Sequence, residues 1–104
     1  MRQLPTFHDF DLVDVRLGPR REANLELRDG LHGTRCTLRF AAIENFAAVE
    51  RFFGAVQRPH ENAFLARVDG VQTTGDGFTI ALDPGGTVRV VTRKPPTVTD
   101  GESE

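Results

Sequence analysis

Apolar residues in this chain recur at every second position through most of its length, and the interval changes to three or four in one place only. Strand side chains alternate between two faces, whereas helical side chains return to one face every 3.6 residues. The pattern therefore dictates strands on either side of a single helix. Leu25 and Leu27 alternate with Asn24, Glu26 and Arg28, and Cys36, Leu38 and Phe40 alternate with Arg35, Thr37 and Arg39. These are two half-buried antiparallel strands joined through the turn cluster Asp29-Gly30-Leu31-His32-Gly33. Opposite charges facing each other across a strand pair contribute roughly 0.2 to 1 kcal/mol. A register that pairs Glu26 with Arg35 or Arg39 is thus expected over one that joins Arg28 to Arg35.

Before this hairpin, Phe10 and Leu12 share one strand face while Val13, Val15 and Leu17 share the other. A β-bulge near Leu12-Val13 reconciles the two halves, and a strand buried on both faces is the alternative. Ile43, Phe46, Val49, Phe53 and Val56 form the helical stripe, with Asn45 as cap and Gly54 or Pro59 as terminator, which predicts a helix over 45–56. Alternation resumes at Phe64, Ala66 and Val68, passes turn-rich Asp69-Gly70 and Gly75-Asp76-Gly77, and continues through Phe78, Ile80 and Leu82. In Asp83-Pro84-Gly85-Gly86-Thr87 a type I turn at Pro84-Gly85 with Gly86 left-handed makes a three-residue loop. That loop predicts Leu82 opposite Val88 and Ile80 opposite Val90.

The expected fold is α+β: an antiparallel sheet of about six strands, in the order β-β-β-α-β-β-β, packed by one amphipathic helix. Residues 1–93 form a single domain. Residues 94–104 contain Pro95-Pro96 and one apolar residue, Val98, too little to offset the entropy of ordering the backbone, so a disordered tail is expected there. The charge divides the same way: residues 1–93 hold twelve Arg against twelve Asp and Glu, and the last eleven set Lys94 against Asp100, Glu102 and Glu104. A neutral body of this kind disfavours nucleic acid as a partner. No run of about 20 apolar residues is present to span a membrane, and the one cysteine, Cys36, suits a reducing compartment. A cytoplasmic location is expected.

Imidazole beside carboxylate is the chemistry of metal binding and proton transfer, which singles out His8, Asp9 and Asp11 as metal-ligand candidates. His60-Glu61 offers a second imidazole oriented by a carboxylate. Cys36 lies on an apolar strand face, where a thiol is inert. The glycine stretches lack the Gly-Lys-Ser/Thr ending of a phosphate loop. No cofactor is expected and no catalytic residue is assigned. Arg35, Arg39 and Arg67 stand on the polar strand faces, and Phe52 lies off the helical stripe beside Phe53, so these four residues are the candidates for contacting a partner.

The run His8-Asp9, Leu12, Val15, Leu25-Glu26-Leu27 and Leu38-Arg39-Phe40 through Ile43 resembles the N-terminal half of small bacterial immunity-type proteins encoded beside polymorphic toxins. The resemblance covers about 35 residues, consists mainly of strand patterning, and implies a non-enzymatic, toxin-binding role without assigning binding residues. The leading expectation is a non-catalytic protein-interaction module, immunity-like or homo-oligomeric. The alternatives are a small metal-dependent hydrolase using His8, Asp9, Asp11 and His60, or a binder of small apolar ligands between helix and sheet.

Overall fold

Strand pairing follows the alternation. The computed structural model describes residues 7–30, 33–56, 66–83 and 85–100. The elements are β1 (Phe10–Gly18), β2 (Glu22–Asp29), β3 (Arg35–Phe40), α1 (Phe46–Val56), β4 (Ala66–Thr74), β5 (Gly77–Asp83), β6 (Gly86–Val91) and β7 (Thr97–Asp100). All strands join one antiparallel sheet in the order β6-β5-β4-β1-β2-β3-β7. The fold is α+β as expected, with seven strands instead of six. The seventh lies in the segment read as a disordered tail: residues 97–100 pair with β3, placing Val98 opposite Leu38. Free backbone groups on the β3 edge supply partners that this apolar-poor segment does not carry itself.

The sheet is two three-stranded meanders, β1-β2-β3 and β4-β5-β6, joined at a seam where, among the described residues, Asp11 pairs with Arg67 and Leu12 with Ala66. Each seam strand bulges just beyond the junction. On β1 the register shifts between Leu12 and Asp14, so Val13 is the extra residue that the change of phase predicts. On β4 the shift lies between Val68 and Gly70, so Asp69-Gly70 is a bulge inside a continuing strand, and the turn comes only at Gly75-Asp76.

Bulges increase local twist, and the sheet curls strongly. Four strand spacings separate β3 from β5, about 19 Å in a flat sheet, yet the rings of Phe40 and Phe78 lie 5.4 Å apart. The concave face holds the core, including Leu12, Leu25, Leu38, Phe40, Ile80 and Val90, and α1 covers it with Val49 and Phe53, preceded by Ile43, all fully buried.

Two registers differ from expectation. In β2-β3 Arg28 faces Arg35 and Glu26 faces Thr37. The like-charge pair is tolerated because a third strand intervenes: Arg28 donates to the Asp11 carboxylate on β1 at 2.9 Å, while Arg35 leans diagonally to Glu26 at 3.6 Å. In β5-β6 the register slides by two, with Leu82 opposite Gly86 and Ile80 opposite Val88. Both Gly85 and Gly86 take positive φ (135° and 93°), so the chain reverses one residue earlier, and a shift of two keeps every side chain on its face.

Asn45 opens the helix with its backbone, while its side chain serves the sheet. Its backbone carbonyl accepts the first helical N–H groups, from Ala48 and Val49. Its side chain turns to β6, donating to the Arg89 carbonyl (2.7 Å) and accepting the Val91 N–H (2.9 Å), while the Glu44 N–H donates to the Val91 carbonyl. The side-chain amide thus stands in for a neighbouring strand along the β6 edge, where unpaired backbone invites association. Asn45→Ala removes two hydrogen bonds and is expected to destabilise by about 1 to 2 kcal/mol, read as a lower urea midpoint at unchanged slope. Asn45→Asp keeps the acceptor for the Val91 N–H but offers no donor to Arg89 and sets a carboxylate against its carbonyl. It should recover little of the loss, and full recovery would mean that the bond donated to Arg89 contributes nothing.

Candidate functional site

With the concave face filled, chemistry open to a partner resides on the convex face, at the sheet ends and at the edges. On the convex face of β1-β2-β3, strand alternation brings four guanidinium groups and four carboxylates outward in pairs: Arg28 with Asp11 (2.9 Å), Arg39 with Glu22 (2.7 Å), Arg16 with Asp14 (3.3 Å) and Arg35 with Glu26 (3.6 Å). The first pair is largely buried, with 11% of the Asp11 side chain exposed, and it is the most stabilising of the four. The others are exposed, and each contributes at most a fraction of a kcal/mol. What they confer is order: every charge is mounted on a paired strand and held by a neighbour of opposite sign.

The Val13 bulge shapes the middle of this face. It places Asp14 so that one carboxylate oxygen accepts the Val15 N–H at 2.9 Å and the other accepts from Arg16. Asp14 stands directly opposite Glu26, and with Arg16, Asn24 and Thr37 these two line a groove of about 340 Å³. A larger hollow of about 600 Å³ lies at the sheet end, between the Thr73–Phe78 turn region and Val91–Pro95. There Arg89 grips Asp76 with bonds of 2.7 and 2.6 Å, and this hydrogen bonding holds the Asp76 carboxyl below its ordinary range.

The proposed partner-contact residues separate. Arg35 and Arg39 belong to the ion-pair lattice and are half exposed. Arg67 is exposed at the seam, opposite Asp11 on one side and Asp83 on the other. Phe52 is half-buried, packed on the core and edge-on to the Phe53 ring at 5.2 Å.

The metal-ligand candidates do not form one set. His8 Nδ1 bonds the carbonyl of Asp69, the extra residue of the β4 bulge, at 2.8 Å, and Nε2 lies 3.5 Å from the Asp9 carboxylate. The carbonyl bond and then the Asp9 charge raise the His8 pKa above its ordinary value. With the Asp9 N–H donating to Val68 and both Phe7 and Asp9 in left-handed backbone (φ 57° and 69°), residues 7–9 form a hook latched onto β4. Asp11 is committed to Arg28 instead. Among the described residues no three His, Cys, Asp or Glu side chains converge as metal ligands. His60, Glu61 and His32 lie outside the described residues, and Cys36 is buried in the core.

Sequence reasoning missed the groove, because Asp14, Asn24 and Thr37 come from three strands and become neighbours only once register is known. It also missed the Asn45 plug and the β7 edge, although the run of β-formers Thr97-Val98-Thr99 was a signal for the latter. No helix is long and apolar enough to cross a membrane among the described residues. Comparison with protein-family models, curated proteins and solved structures finds no match to this chain.

Proposed function

We infer that this chain is a non-catalytic protein-interaction module whose docking surface is the convex face of β1-β2-β3. The observation that supports the reading is the lattice of four ion pairs on three adjacent strands. Side chains pre-ordered in this way lose little entropy when a partner immobilises them, and alternating signs select a partner by charge complementarity more than by apolar area. Equal numbers of cations and anions favour a folded protein with a matching pattern over a polyanion. The resemblance to immunity-type proteins points to the same class of role, with a toxin-like protein as the partner.

Co-expression with the product of the neighbouring reading frame, followed by calorimetry on the co-eluting pair, tests this. Arg35→Glu together with Arg39→Glu is expected to weaken binding by at least about tenfold while changing stability by no more than about 1 kcal/mol, since both side chains are half exposed. A complex whose affinity is unmoved by both reversals would remove the convex face from the interface.

A further inference from the structure

The two edges of the sheet are treated differently. The β6 edge is sealed by Asn45 and Glu44. At the other end stands β7, Thr97-Val98-Thr99-Asp100, which has none of the usual edge protection in its first three positions: no lysine, no proline and no covering side-chain amide among the described residues. Val98 is, among the described residues, the one large apolar side chain left exposed, at 44%.

Its place in the sheet gives that exposure meaning. Val15 faces Leu25, Leu25 faces Leu38, and Leu38 faces Val98, so one apolar row crosses β1, β2, β3 and β7 on the concave side. The first three members are buried, at 4%, 2% and 0% exposed, and the row stops at the rim with Val98 uncovered. An antiparallel neighbour that presented a valine there would continue it.

We propose that β7 pairs antiparallel with β7 of a second copy of this chain, in a two-fold register centred on Val98. Residues directly opposite in an antiparallel pair share a face, so a symmetric register centres on a single residue, here Val98 or Thr99. Centring on Thr99 sets position 100 against Val98 and leaves the two valines apart. Centring on Val98 joins the two valines and sets Thr97 against Thr99 twice. The interface is isologous and closes at two copies. Four residues a side make a small contact, so the dimer is weak and concentration-dependent. This inference is independent of the convex-face reading, and Arg35→Glu should leave self-association intact.

Sedimentation velocity on the full chain from roughly 10 μM to 1 mM should show the apparent mass rising above 11.5 kDa toward twice that value. Val98→Lys sets two ammonium groups face to face and is expected to raise the dimer Kd by at least about tenfold, with an unchanged far-UV spectrum. A second variant checks the register. In Val98→Cys the new thiols are about 4.5 to 5.5 Å apart at Cβ and cross-link on mild oxidation, whereas in Thr97→Cys each thiol lies a diagonal step of about 7 to 8 Å from its copy and does not. A monomer at every concentration overturns the proposal. So does a dimer indifferent to Val98→Lys, or cross-linking that favours position 97.

Discussion

A Phe53→Ala variant is expected to lose about 3 to 5 kcal/mol of stability, a large share of the roughly 5 to 15 kcal/mol that a chain of this size holds in total. Phe53 is fully buried and lies on the one helix among the described residues, so the cavity it leaves opens beneath the element that covers the concave face. The neighbouring residue is an internal control. Phe52 touches the same core but is only half-buried, and its truncation should cost clearly less. Urea titration of both variants decides the matter. Equal losses would show that the flank of α1 holds it as strongly as the stripe does.

Gly77→Ala is expected to lower stability by about 3 kcal/mol and the thermal midpoint by upwards of about 10 °C. The reason is space. A Cβ added at Gly77 would collide with the Val90 carbonyl oxygen, and because that neighbour is backbone, β5 and β6 would have to separate locally. Gly75, two residues earlier in the same turn, offers the comparison, since a Cβ there meets nothing within 4 Å and Gly75→Ala should be nearly silent. Calorimetry that found the two variants alike would mean that the β5-β6 pairing relaxes without cost.

The sequence-level reading succeeded where one physical effect dominated and failed where a remote strand intervened. Period alone found the helix, and the phase change at Leu12-Val13 found the β1 bulge, because burial penalises a misplaced apolar residue directly. The β2-β3 register was misjudged because the charge argument considered two strands while Asp11, on a third, takes the second arginine. The β5-β6 register was missed by two because face alternation tolerates such a shift and two adjacent glycines permit either loop. β7 was missed because apolar content was weighed as if the segment had to fold alone, when its hydrogen-bond partners were waiting on β3. Of the candidate site residues, Arg35 and Arg39 were placed on the correct face, but the groove between Asp14 and Glu26 needs three-dimensional register to exist at all.

The seam between β1 and β4 has a kinetic counterpart. Each meander is stitched by connections between consecutive strands and gains its pairings at small loop-closure cost, whereas Leu12 and Ala66 must find each other across half the length of the chain for a return, among the described residues, of two residue pairs. Non-local contacts so thinly rewarded form late, after the hairpins that present them. The two meanders are therefore expected to form before they dock, with the β1-β4 seam and the β3-β7 pairing both closing late, which φ-values near zero at Leu12, Ala66 and Val98 would show.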